Sequence, residues 1–92
     1  MTLIDVVRIL NSFDAEGTIY AELPWSTASR AVVENEPELG GIPPGAAELN
    51  ASYFLEVFVA REVLNGWRAN LEHSPGTTEQ CDRLIEYASK DA

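Results

Sequence analysis

The sequence contains few of the residues from which catalytic and metal centres are built. Its 92 residues include one cysteine and one histidine, and only six Lys or Arg stand against fifteen Asp or Glu. The single cysteine, Cys81, excludes an internal disulfide framework and every multi-cysteine zinc motif. The longest strongly apolar run, residues 53–60, is much shorter than the ~20 residues that cross a bilayer. We therefore expect no disulfide, no metal, no cofactor and no membrane partner.

The chain also lacks a recognisable secretory leader. Its first residues, MTLIDVVRIL, place Asp5 where a leader has a basic region, and no small-residue cleavage site follows. Together with the single cysteine, this predicts a reducing, cytoplasmic location. The composition, 46% hydrophobic and 23% charged, is that of an ordinary folded protein, and the length predicts one domain over residues 1–92.

The shortage of basic residues disfavours nucleic acids as partners. The formal net charge is −9, and nucleic acids and anionic lipids both require Lys and Arg at the protein surface. The pair Gly40-Gly41 has no lysine after it and opens no helix, so it does not fit a phosphate-binding loop. We expect neither nucleic acid nor nucleotide to bind this chain.

The negative charge is concentrated in the middle of the chain. Residues 31–60 contain no Lys or Arg, and their acidic residues are Glu34, Glu36, Glu38, Glu48 and Glu56. Such a segment attracts basic partners and speeds encounter with them, although acidity also serves solubility alone. The alternating carboxylates of Glu34, Glu36 and Glu38 suit a hard cation, but Pro37 lies among them and no calcium-loop pattern is present, so a solvated loop is favoured.

The hydrophobic pattern predicts an α+β fold with a small antiparallel sheet of about three strands and helices packed on one face. The predicted order is α-β-β-β-α-α. Helices are expected over residues 2–13, from 60 to about 72 and from 77 onwards, and strands over residues 18–23, 29–34 and 53–57. Thr2 can cap the first helix, with the Asp5 carboxylate three residues on reaching back to it. Residues 53–59 also fit the start of a long helix, but a strand to about residue 57 followed by a helix is favoured. The proline- and glycine-rich residues 36–45 are expected to form a loop, with a short helical turn starting at Pro44. In the last strand, alternation places Phe54 and Leu55 on opposite faces.

Two local features point to interactions. Trp25 follows Pro24 in the predicted hairpin loop, where an exposed tryptophan is typical of an interface anchor; the alternative is that it folds back over the core. Glu56 interrupts an apolar strand, and a buried carboxylate is rarely left unpaired. Arg30 is the only base in the strand region, so we predict an ion pair between Arg30 and Glu56 across the sheet.

Neither of the residues that could serve as nucleophile or base has a recognisable catalytic setting. His73 lies in a helix-breaking turn, and Cys81 falls on the apolar stripe of the last helix, where a thiol behaves as a small hydrophobe. A catalytic triad needs a base and an orienting group, and neither is identifiable. We therefore assign no catalytic residue.

Two stretches carry a resemblance to other sequences. Residues 18–25, TIYAELPW, and residues 52–62, SYFLEVFVARE, resemble a group of short bacterial proteins of unknown function. The resemblance implies a bacterial or phage source and transfers no catalytic residue.

The favoured hypothesis is a non-enzymatic, acidic protein-binding module of the inhibitor, immunity-protein or antitoxin type. Trp25 and the carboxylates of Glu34, Glu36, Glu38 and Glu48 would engage a basic surface of a partner protein. The alternative is a self-associating accessory domain, a homodimer whose open sheet face carries Phe54, Phe58 and Tyr20. A small carboxylate-based enzyme is a third hypothesis.

Overall fold

Three β-strands and four α-helices make up the part of the chain that the structure describes. The structure is a computed structural model that describes residues 1–91, with side chains over residues 1–90. In chain order the elements are α1 (Leu3–Arg8), a 3-10 turn (Leu10–Ser12), β1 (Thr18–Glu22), β2 (Ala31–Glu34), α2 (Pro44–Glu48), β3 (Ala51–Glu56), α3 (Val57–Arg68) and α4 (Thr77–Asp91). The predicted α+β class is confirmed. Over these residues, no helix is both long and apolar enough to span a membrane.

The sheet is antiparallel, with β1 in the centre and the order β2-β1-β3. Thr18 of β1 is paired with Glu34 on one side and with Glu56 on the other. The hairpin of β1 and β2 was expected from the alternation and the intervening loop. The sequence did not show that β3 pairs with β1 rather than with β2, because this pairing joins residues that are far apart in the chain.

A bulge in β3 alters the predicted alternation. Ile19 is paired with Leu55 and Tyr20 with Tyr53, so Phe54 is the extra residue. Because of this insertion, Phe54 and Leu55 both join the main core and are 1% and 3% exposed. The expectation that they lie on opposite faces was wrong. The strand then ends at Glu56, and α3 begins at once at Val57.

The main core lies between one face of the sheet and the helices α1, α3 and α4. It includes Ile19 from β1, Leu3 from α1, Leu64 from α3 and Leu84 from α4, all 2% exposed or less. The start of α1 is fixed by the predicted capping box, in which the Thr2 amide donates to the Asp5 carboxylate at 3.0 Å. This face of the sheet is therefore closed by helices.

The short helix α2 covers part of the opposite face. Its Ala46 packs with Tyr20 of β1 and Ala51 of β3 in a second, smaller apolar cluster. Pro44 occupies the first turn, where its missing N–H is not needed, so the helical turn predicted at Pro44 is confirmed. The sheet thus has a thick helical layer on one face and a single helical turn on the other.

The predicted ion pair between Arg30 and Glu56 was wrong. The Arg30 Nη2 atom lies 2.6 Å from the Glu22 Oε2 atom, because the hairpin brings Arg30 beside the end of β1. Glu56 pairs with Thr18 at the other end of β1, and β1 separates β3 from β2. The two residues are therefore at opposite ends of the sheet and two strands apart.

Candidate protein-binding face

The sheet face opposite the main core gathers five polar side chains that we call the acidic face. Its members in the strands are Tyr20, Tyr53, Glu34 and Glu56; the fifth is Glu36, two residues beyond the end of β2, whose negative charge raises the pKa of both tyrosines. Residues directly opposite each other in antiparallel strands point to the same side, so Thr18 shares its face with Glu34 and Glu56, and Tyr20 shares it with Tyr53. Two strand spacings place the Cα atoms of Glu34 and Glu56 roughly 10 Å apart.

Glu34 holds α2 against the sheet. Its carboxylate accepts a hydrogen bond from the Ala46 amide at 3.2 Å, at the helix end where Pro43 provides no side-chain cap. Gly45 permits this approach, because a Cβ atom there would lie 2.6 Å from the Glu34 Oε1 atom. Glu34 therefore has a structural role in the acidic face, because its carboxylate accepts a hydrogen bond from the backbone of α2.

Glu56 is bonded to Tyr53. The Tyr53 hydroxyl donates a short hydrogen bond to the Glu56 Oε2 atom, while the Tyr53 residue remains 45% exposed. Partial burial raises the pKa of Tyr53 well above its usual value, and the hydrogen bond to Glu56 and its negative charge raise it further. Tyr53 is consequently a neutral donor that fixes the Glu56 carboxylate and presents part of its ring to solvent.

Tyr20 is the buried member of the acidic face. The residue is 1% exposed, and its hydroxyl has no hydrogen-bond partner among the described residues. Burial raises the pKa of Tyr20, and the negative charges of Glu36, Glu34 and Glu56 raise it further. The neighbouring Thr18 hydroxyl opposes this shift, although no bond between the two hydroxyls has hydrogen-bond geometry. The phenol is thus held neutral close to three carboxylates.

The basic side chains are engaged elsewhere. Among the described residues, the four ion pairs of Arg and Lys are Arg8–Asp5, Arg30–Glu22, Arg83–Glu86 and Lys90–Glu86. Arg61 donates to backbone carbonyls and Arg68 to Asn65. Within that part of the chain, no ion pair includes Glu34, Glu36, Glu38, Glu48 or Glu56. The acidic residues of the middle segment therefore remain without internal cations.

Trp25 does not join this face. Its indole ring meets Phe54 edge to face, with ring centroids 4.9 Å apart, and its Nε1 donates to the Ala21 carbonyl at 3.1 Å. Trp25 packs against the main core, so the sheet separates it from the glutamates. Trp25 thus folds back over the core, as the alternative interpretation of this residue expected. It does not form one continuous surface with the glutamates.

The other residues singled out from the sequence are dispersed. Glu38 lies exposed in the loop after β2, and Glu48 lies exposed on α2. Phe54 is in the main core and Tyr20 is covered by α2, so only Phe58, 46% exposed, remains of the apolar surface suggested for self-association. That predicted surface was wrong in its composition.

The residues considered for catalysis are not brought together. Cys81 is fully buried, and burial, assisted by the charge of Asp82, raises the pKa of its thiol to about 11. A thiol of this kind is protonated at neutral pH and is a poor nucleophile. His73 lies on the surface, where its Nε2 atom is 3.2 Å from the Glu79 carboxylate. In the part of the chain that the structure describes, no three His, Cys, Asp or Glu side chains are grouped to hold a metal ion.

One pattern in the sequence pointed to residues of the acidic face that the sequence analysis did not single out for binding. Alternation in β1 already placed Thr18, Tyr20 and Glu22 on the face away from Ile19. It did not show that Tyr53 and Glu56 would be neighbours of Tyr20 and Thr18, because that depends on the β1–β3 register and on the bulge. Comparison with models of protein families, with curated proteins and with solved structures finds no match for this chain.

Proposed function

We propose that the protein is a non-enzymatic acidic module that binds a basic surface of another protein through the acidic face and through Glu38 and Glu48, which are exposed on the loop after β2 and on α2. The observation that carries this proposal is the absence of a basic partner for these carboxylates among the described residues, whose Arg and Lys side chains are engaged elsewhere. A partner that supplies Lys or Arg side chains would relieve the repulsion among these carboxylates.

The physical consequence is steering. A chain of net charge −9 with no Lys or Arg among residues 31–60 attracts a basic protein over long range, and salt weakens that attraction. The bound module then blocks the surface, with carboxylates in the positions that phosphate groups would otherwise take. This mode of action is that of an inhibitor, an immunity protein or an antitoxin, and it requires no catalytic residue in the module.

The test compares two variants of equal net charge. The face variant carries Glu36→Gln, Glu38→Gln and Glu48→Gln, three exposed side chains for which the described structure shows no hydrogen bond or ion pair. The control carries Glu16→Gln, Glu62→Gln and Glu72→Gln, which are exposed and lie outside residues 31–60. Each tagged protein is used for capture from a lysate of its source organism at low and high salt, with mass spectrometry as the readout.

We expect the wild type and the control variant to retain one basic protein in stoichiometric amount at low salt and to release it at high salt. The face variant is expected to retain little of it. Equal capture by both variants would remove the acidic segment from the interface. A partner that is acidic, or one that resists high salt, would contradict the electrostatic mode of binding.

A further inference from the structure

The buried hydroxyl of Tyr20 is an unusual feature in an otherwise apolar cluster. It is packed with Ala46 and Ala51 and has no partner of its own among the described residues. Buried hydroxyls nearly always have a hydrogen-bond partner, because an unpaired one destabilises the fold. A phenylalanine would fill the same volume without that penalty. The hydroxyl therefore points to a second arrangement of the acidic face, in which it has an acceptor.

The acceptors are close but repel one another. Tyr20 shares its face with Glu34 and Glu56, which flank β1 on either side, and the charge of Glu36 acts on both Tyr20 and Tyr53. Three carboxylates without a cation cannot approach one another closely. A cation seated among them would draw them together and bring one within reach of the Tyr20 O–H group.

Building on the proposed function, we propose that the acidic face seats an arginine side chain of the basic partner between Glu36 and Glu56. The guanidinium group donates to both carboxylates, and the Tyr20 hydroxyl, as a positioning residue, donates to the carboxylate that has been drawn towards it. The planar group carries five N–H donors, which suit several carboxylates at once. A lysine ammonium is a compact point charge and matches this set less well.

Tyr53 provides the second reason for arginine. Its hydroxyl is fixed on Glu56 and its residue is 45% exposed, so an aromatic ring stands beside the carboxylate that binds the cation. Guanidinium groups pack on such rings by cation–π attraction. A divalent metal is not favoured here, because the described residues do not group three suitable ligands.

The test uses a short peptide with three arginines spaced by glycines, and its lysine counterpart, as probes. Binding is followed by NMR on the full chain with ¹³Cζ-labelled tyrosine, at low and at high salt. We expect the Cζ resonances of Tyr20 and Tyr53 to move along the same binding curve while that of Tyr87 stays unchanged. Tyr87 lies in the groove between α3 and α4 and is the internal reference.

Tyr20→Phe is the decisive variant, and Tyr87→Phe is its matched control. Tyr20→Phe keeps every carboxylate and is expected to fold, which thermal unfolding verifies, yet to weaken binding of the arginine peptide by about five- to tenfold. Tyr53→Leu is expected to weaken it as well, since the ring is lost. Tyr87→Phe is expected to leave the affinity unchanged.

Three results would overturn the assignment: equal affinity for the lysine peptide, unchanged affinity in Tyr20→Phe, or no movement of the Tyr20 resonance. Each of these leaves the proposed function standing if the capture experiment still separates the face variant from its control. Loss of that separation, by contrast, removes the proposed function itself. The two failures are therefore read from different measurements.

Discussion

At the scale of single residues, Tyr20 combines a packing role with an unpaired polar group. Its ring closes the apolar cluster under α2, and its hydroxyl is buried without a partner among the described residues. Burial of an unpaired hydroxyl destabilises a protein by about 1–3 kcal/mol. The hydroxyl of Tyr20 therefore contributes nothing to folding in this arrangement, which is the basis for assigning it a use in binding.

Replacing Tyr20 by phenylalanine is therefore expected to stabilise the protein. The free energy of unfolding should rise by about 1 kcal/mol, because the ring stays and the unpaired group is removed. Urea denaturation of the two proteins measures the difference. A lower unfolding free energy in Tyr20→Phe would mean that the hydroxyl already has a partner in the free protein.

Arg61 is expected to be the most important basic residue for stability. Its Nη2 atom donates to the Leu10 carbonyl at 3.0 Å and also to the Phe13 carbonyl, which closes the end of the 3-10 turn. Arg61→Met keeps the aliphatic stem. It leaves the Phe13 carbonyl without a donor among the described residues, while the Leu10 carbonyl keeps only the Phe13 amide, so we expect a loss of about 1–3 kcal/mol in unfolding free energy.

The matched control for Arg61 lies on the same helix. Arg68 is exposed and donates to the Asn65 side chain, so Arg68→Met should change the unfolding free energy by less than about 0.5 kcal/mol. Equal effects of the two substitutions, measured by urea denaturation, would show that the carbonyl contacts of Arg61 contribute nothing specific.

At the scale of elements, features that depend on neighbouring residues could be predicted from the sequence, and strand pairings between distant residues could not. The capping box of Thr2 and Asp5, the hairpin, the turn at Pro44 and the apolar stripe of α4 with Cys81 all follow from neighbours in sequence, and all were predicted. The pairing of Thr18 with both Glu34 and Glu56 was not, because it depends on contacts among residues far apart in the chain.

The bulge at Phe54 shows the same limit. Alternation assumes that every residue of a strand has one partner, and one extra residue moves the following side chains to the other face. Nothing in the sequence of β3 marks that insertion, since Phe54 and Leu55 suit either face. The members of the acidic face could accordingly be predicted as acidic or aromatic residues, but not as neighbours.

The contact of α2 with β2 predicts that the effect of Gly45→Ala on stability depends on Glu34. Alanine is preferred to glycine inside a helix by about 1 kcal/mol, yet a Cβ atom at Gly45 would lie 2.6 Å from the Glu34 carboxylate. We expect Gly45→Ala to give no gain in the wild type, because it displaces Glu34 from the Ala46 amide. In the Glu34→Ala background the same substitution should stabilise.

Measuring the four proteins of this cycle by urea denaturation yields the coupling between the two positions. A coupling of about 1 kcal/mol is expected from one lost hydrogen bond to a charged group and the recovered helix propensity. Equal effects of Gly45→Ala in both backgrounds would contradict the proposed role of Glu34 in holding α2.

At the scale of the whole molecule, stability should fall in acid. The hydrogen bonds to Thr2 lower the pKa of Asp5, the hydrogen bond to Arg30 lowers that of Glu22, and the hydrogen bond to His73 lowers that of Glu79. Groups with lowered pKa values stabilise the fold above their ordinary values of 3.8 for Asp and 4.5 for Glu. That stabilisation is lost as the pH falls further.

The melting temperature should consequently decrease as the pH is lowered below about 4.5. The pKa values of Tyr20 and Tyr53 are raised in the folded protein, so these groups act at the alkaline limit. Stability should fall as the pH rises above about 10, because tyrosine ionises there in the unfolded chain before it ionises in the folded one. Thermal unfolding across the pH range checks both limits. A melting temperature that rises between pH 4 and pH 3, or that is unchanged between pH 9.5 and 11, would contradict these shifts.

The central claim about the whole molecule is that the acidic face binds cationic side chains specifically, and one titration tests that claim most directly. The arginine peptide is added to the ¹⁵N-labelled protein at low and high salt, with the Glu36/Glu38/Glu48 and Glu16/Glu62/Glu72 variants beside the wild type. We predict amide shifts concentrated around Tyr20, Tyr53, Glu36 and Glu56, suppressed by salt and lost in the first variant alone. Shifts spread evenly over the acidic residues, with equal losses in both variants, would contradict a specific binding face.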